Sequence, residues 1–154
     1  MTEQSLKATV QRDLTDAMRA RDQVRSGTLR MVLTAITTEE VAGSESRELT
    51  DDDVLKVLAK EAKKRKEAAA AYTGAGRPEL AATEEAELEI LEAYLPAQLS
   101  DDELASIVAA AIEQTGATGM QQMGQVMKAA SPVVAGRADG GRVAAVVKAA
   151  LAAR

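Results

Sequence analysis

Apolar residues recur at three- and four-residue intervals through most of the chain, the spacing of amphipathic helices. Leu6, Val10, Leu14 and Ala17 or Met18 outline a first helix, with Thr2 placed to cap it, and Asp22 starts a second carrying Leu29, Val32, Leu33 and Ile36. No glycine or proline divides the two, so a break near Ala20 to Asp22 and one long kinked helix both fit. Ala42 to Glu48, with Gly43 and two serines, reads as a solvated loop. Thr50 opens a third helix that runs to about Tyr72 and is ended by Gly74 and Gly76. Pro78 suits the first turn of a fourth helix, in which Leu88, Leu91 and Leu95 share one face.

The stretch 84–104, EEAELEILEAYLPAQLSDDEL, is where the pattern breaks and restarts. Pro96 disfavours helical geometry at Leu95, so the fourth helix should stop near Tyr94. Ser100 and Glu103 then form an S-x-x-E capping box, with Leu99 and Leu104 at the hydrophobic-staple positions. Leu49-Thr50-Asp51-Asp52-Asp53-Val54 has the same chemistry, position by position. Both place acids in a first turn, where the helix dipole favours negative charge. A helix end, a proline and a fully specified helix start so close together predict a short joint and a domain boundary at residues 95/96.

Past the joint, Ser100 to Thr115 reads as a helix with Leu104, Ile107, Val108 and Ile112 inward and Gly116 at its end. Thr118 and Gln121 make a T-x-x-Q box for a short helix carrying Met120, Met123, Val126 and Met127, which should end before Pro132. Val133 to Ala138 is then a connection, and Asp139 caps a last helix whose inner face is Val143, Val146, Val147, Ala150 and Leu151. The expected fold is all-α: an N-terminal domain of about four helices, residues 1–95, followed by a C-terminal three-helix tail, 96–154.

Composition narrows the chemistry. The chain has no cysteine and no histidine, which excludes disulfides, Cys/His zinc sites, thiol nucleophiles and imidazole acid–base catalysis. It has no Phe and no Trp, so its cores are built from Leu, Val, Ile, Met and Ala. The N-terminus lacks the apolar stretch of a signal peptide and no run approaches membrane-spanning length, which points to a cytoplasmic protein without a membrane partner.

The net charge of −5 is unevenly spread: beyond Glu113 five bases face one acid, Asp139, giving +4 there and −9 before it. Two basic clusters stand out. Lys60, Lys63, Lys64 and Lys66, with Arg65, form the densest run. Its plain reading is a solvated helix laced by pairs such as Glu61–Arg65. Its sharper reading is a stripe, Lys56, Lys60, Lys63 and Lys64, that meets an RNA backbone through counterion release. Without interleaved aromatics, such a contact reads shape and phosphate, not base sequence.

The second cluster is Gly136-Arg137-Ala138-Asp139-Gly140-Gly141-Arg142, which with Lys128 and Lys148 makes the best positive surface of the tail. Two arginines beside a glycine-rich helix start are suited to a phosphate. Asp139 at the cap competes for the same N–H groups, and the plain reading is a capped helix whose glycines allow close packing. The P-loop spacing is absent. Glu84, Glu85, Glu87, Glu89 and Glu92 spread over several helix faces and read as solvated, and Met120, Met123 and Met127 read as core. No catalytic constellation, metal site or cofactor motif emerges.

The strings EAELEILEAYLPAQLS, LRMVLTAI (29–36), KEAKKRKEAAAAYTGAGR (60–77), MGQVMKAA (123–130) and GRADGGRV (136–143) together resemble the YqeY family. These small bacterial proteins are related to the tail domain of the B subunit of the tRNA-dependent amidotransferase (GatB/YqeY-like). The resemblance implies a helical domain followed by a three-helix tail. In the amidotransferase that tail is associated with grasping tRNA, and a similar module is appended to some bacterial glutaminyl-tRNA synthetases. Thr37 stands where the family pattern leads one to expect a lysine, which removes one phosphate contact. The resemblance implies a non-catalytic tRNA-binding accessory module, with tRNA and a synthetase or amidotransferase-type protein as partners. The amidotransferase's carbon–nitrogen ligase activity, with glutamine as amido-N-donor, is associated with this chain through resemblance only. The alternative is a helical protein–protein interaction adaptor.

Overall fold

The structure, a computed structural model, describes residues 5–154, and every regular element among them is helical. In order these are α1 (Leu6–Arg19), α2 (Gln23–Glu40), α3 (Asp51–Gly74), α4 (Pro78–Glu92), α5 (Asp101–Thr115), a single 3-10 turn (Met120–Gln122), α6 (Met123–Val134) and α7 (Gly140–Ala152). The chain divides into two compact units, residues up to Leu95 and from Pro96 onward. Thr2, the expected first cap, lies outside the described residues; Ser5 caps α1 by accepting from the Ala8 N–H at 3.1 Å.

Helices α1 and α2 are separate. Arg21 makes the break in the left-handed region, at φ 58°, a conformation that Gly adopts freely and other residues rarely do. Asp22 then caps α2 through the Arg25 N–H at 3.0 Å. Thr50 and Asp53 close a reciprocal box at the start of α3, and Pro78 occupies the first turn of α4. The core of this unit gathers Val10, Leu29, Val32, Ile36, Leu49, Val54, Leu58 and Leu91, with Leu88 and Leu95 half-buried at its edge. Ala17 turns inward while Met18 is exposed.

Two polar locks sit within the first unit. Arg65 is buried: it ion-pairs with Glu61 one turn back, and its Nε lies 3.4 Å from Glu87 on α4. The Nε contact has the distance of an ion pair but makes no hydrogen bond. Burial raises the Glu61 pKa, but hydrogen bonds from Lys64 and Arg65 outweigh it and hold the carboxyl below its ordinary value. The Tyr94 hydroxyl donates to Asp13 Oδ2 at 2.5 Å, tying the end of α4 to α1. Burial first, and the Asp13 carboxylate second, push the phenol well above its usual range.

The second unit packs α5 against α6 and α7 around Leu104, Val108, Ile112, Val126, Val134, Val143, Val147 and Leu151. Leu99 and Leu104 are both buried, as staple positions should be. Ser100 accepts from the Glu103 N–H at 3.1 Å, so the serine half of the expected box forms. Gly116 ends α5 in the left-handed region at φ 68°.

Three expectations fail here. Gln122, not Gln121, closes the cap near Thr118: its Oε1 accepts from the Thr118 and Gly119 N–H groups at 2.7 and 3.1 Å, because a 3-10 turn precedes α6 and shifts the register by one. Helix α6 runs through Pro132 to Val134 instead of stopping short of it. Proline lacks one N–H donor, and so near the helix end the loss is a single bond, while the extra turn buries Val134. The third concerns Met120, which is exposed, whereas Met123 and Met127 pack half-buried against the core as expected.

Candidate nucleic-acid interface

The α3 lysines are placed by helix geometry. With Val54, Leu58, Ala62, Arg65 and Ala69 inward, Lys56, Lys60, Lys63 and Lys64 fall within an arc of about 100° on the opposite side, at about 100° per residue. All four are exposed, as is Lys66 on the flank. Lys64 is tethered to Glu61 at 3.1 Å, whereas Lys56, Lys60 and Lys66 form no ion pair among the described residues. The run therefore combines both readings: Arg65 and Glu61 serve the fold, and the lysines line the outer face.

The tail arginines are differently employed. Arg142 donates from Nη1 to the Leu99 carbonyl at 2.8 Å and from Nη2 to Asp101 Oδ1 at 2.7 Å, fastening the start of α5 to the start of α7. Arg137 donates to the Val133 and Val134 carbonyls at 3.2 and 3.4 Å, and so caps the C-terminus of α6, the negative end of its dipole. Its own carbonyl accepts from the Leu99 N–H at 2.8 Å. Asp139 caps α7 as expected, through the Gly141 N–H at 3.4 Å.

The expected close packing at the glycines is absent: a Cβ at Gly140 would meet nothing within 4 Å, and one at Gly141 only an ordinary contact with Asp139. Gly136 is the position whose backbone calls for glycine, at φ 78°. Lys128 and Lys148 stand on the exposed faces of α6 and α7 and carry no ion pair among the described residues. Sequence reasoning thus singled out the cations of the tail but missed which were already engaged. Nothing local marks Arg142 as the partner of a carbonyl 43 residues away.

Among the described residues no group of three or more Asp or Glu side chains is arranged to hold a metal ion, and no helix is long and apolar enough to cross a membrane. Glu87 is taken by Arg65, which leaves the α4 acids without a shared focus.

Among the described residues every regular element is a helix, and Lys56, Lys60, Lys66, Lys128 and Lys148 stand on exposed helix faces. The family model for Yqey-like proteins matches residues 7–151, and this chain belongs to the YqeY family. Over 98 residues it is 37% identical to an uncharacterized protein of Schizosaccharomyces pombe, a match covering 63% of this chain and 77% of that one. Over 87 residues it is 37% identical to a mitochondrial protein of Meyerozyma guilliermondii named for altered inheritance of mitochondria (protein 41), covering 56% of this chain and 44% of the relative. The chain therefore spans under half the length of this second relative.

Proposed function

We propose that this protein is a cytoplasmic, non-catalytic tRNA-binding accessory module, made of an N-terminal four-helix domain and a three-helix tail of the GatB/YqeY-like kind. The observation that carries the reading is the division of labour among its cations. Arg65, Arg137 and Arg142 are held by the protein, while Lys56, Lys60, Lys66, Lys128 and Lys148 stand exposed without ion pairs among the described residues, the state of a cation ready to displace counterions from a phosphate backbone. Membership of a family related to a tRNA-grasping tail supplies the choice of RNA, and a synthetase or amidotransferase-type protein is the natural partner of such a module.

The test is retention of unmodified tRNA in a gel shift at low salt. The double variant Lys128→Glu with Lys148→Glu, which touches no internal hydrogen bond, should weaken retention and reduce the salt slope by about one per lost phosphate contact. Absence of any shift by the unaltered protein removes the reading. A second reading, a helical protein–protein adaptor, is favoured by one feature of the tail: an apolar depression of about 230 Å³ on α5 and α6, lined by Ile107, Ala110, Ala129 and Val133. It predicts a protein partner whose capture survives nuclease treatment.

A further inference from the structure

The turn between α1 and α2 frames the largest of the depressions described here, about 580 Å³, lined by Met18, Arg21, Gln23, Ser26 and Arg30. Two guanidinium groups and no carboxylate line it. Neither Arg21 nor Arg30 makes an ion pair or a side-chain hydrogen bond among the described residues, unlike Arg25 nearby, which faces Asp13 at 3.9 Å. The nearest acid in sequence, Asp22, is occupied by the Arg25 N–H.

Ser26 is the telling residue. It is 5% exposed, yet it lines the depression and its hydroxyl has no hydrogen-bond partner among the described residues. The other hydroxyls of α2 behave otherwise: Thr28, Thr37 and Thr38 fold back onto the carbonyls four residues earlier at 2.8, 3.0 and 2.9 Å. Ser26 is thus a largely buried residue whose hydroxyl oxygen forgoes this bond and opens, solvent-accessible, on two arginines without ion pairs. Arg21 itself occupies the left-handed turn position, where Gly would sit without strain, so the turn carries a cation at a place its backbone does not favour.

We propose that this depression binds a phosphate ester, its phosphoryl oxygens accepting from Arg21, Arg30 and the Ser26 hydroxyl, with the rest of the ligand against Met18 and Gln23. Planar guanidinium forks match phosphate oxygens in pairs, and a serine hydroxyl completes a tetrahedral acceptor. The volume exceeds what a bare phosphate occupies, which favours an ester over the free ion. The site uses none of the lysines assigned to tRNA, so it stands or falls separately from that reading.

The full chain, titrated by calorimetry with inorganic phosphate, adenosine monophosphate and a short RNA oligonucleotide with or without a 5′-phosphate, gives the test. Saturable binding of the nucleotide identifies a small ester as the source. Binding of only the 5′-phosphorylated RNA identifies a terminal phosphate on RNA. Either affinity should fall about tenfold in Ser26→Ala and about a hundredfold in Arg21→Gly with Arg30→Gln, charge-assisted hydrogen bonds being the strong ones. Arg21→Gly suits the turn's own backbone. No saturable binding of any probe, or binding indifferent to the arginine variants, overturns the proposal.

Discussion

Two helix starts with nearly the same sequence, Thr50-Asp51-Asp52-Asp53 in the first unit and Ser100-Asp101-Asp102-Glu103 in the second, end up with different circuitry. At Thr50 both halves of the box form, and Asp53 is further strapped by Arg47 at 3.2 Å. At Ser100 only the serine half forms. The first acid of each turn behaves alike, however, because each leaves its own helix. Asp51 accepts from the Leu6 N–H of α1 at 2.9 Å, and Asp101 accepts from Arg142 of α7 at 2.7 Å. A capping sequence therefore sets where a helix begins, and the first acid of each turn adds a contact to another helix.

The largest effect is expected where the first unit buries a charge. Arg65→Ala leaves Glu61 and Glu87 without their shared cation and should cost about 3 kcal/mol, read by urea unfolding and by faster amide exchange along α3 and α4. The same network gives the unit an acid-side dependence. Glu61 is held below its ordinary value of 4.5 when folded, so its stabilisation is present above that pH and is lost as pH falls through the folded value. Thermal midpoints taken down the carboxylate range should drop less steeply in Arg65→Ala than in the unaltered chain.

The tail's equivalent lock is weaker. Arg142→Ala should cost about 1–2 kcal/mol through the stranded Leu99 carbonyl, whereas Asp101→Ala, at an almost fully exposed carboxylate, should cost about 0.5 kcal/mol or less. Equal costs for the two would mean that the ion pair, and not the carbonyl, holds α7 to the start of α5. Last come the caps: Thr50→Ala and Ser100→Ala should each cost about 1 kcal/mol, with Thr50 the larger because its loss also frees Asp53. Amide exchange localised to the first turns of α3 and α5 separates the two.

These contrasts also mark how far the sequence can be read. The all-helical class, both leucine staples, the Asp22, Thr50, Ser100 and Asp139 caps and the Gly116 terminus were legible because each depends on a few adjacent residues. The break near Ala20 to Asp22 was one of two readings and is the one that forms, the sequence leaving it open because the left-handed position carries an arginine where a glycine would have announced it. Pro132 misled for the opposite reason: a breaker was tolerated because Val134 had a core to enter. In the candidate interface the exposed lysines follow from helix periodicity alone. The commitment of Arg137 and Arg142 depends on carbonyls that only the folded tail brings to them.

The most direct measurement is the salt dependence of tRNA retention by the full chain, compared with Lys60→Glu, Lys66→Glu, Lys128→Glu and Lys148→Glu combined. The account predicts a linear fall of log affinity with log salt for the unaltered protein and a slope shallower by several contacts in the variant, with helical content unchanged. Identical slopes, or no retention by the unaltered chain even at low salt, would contradict it.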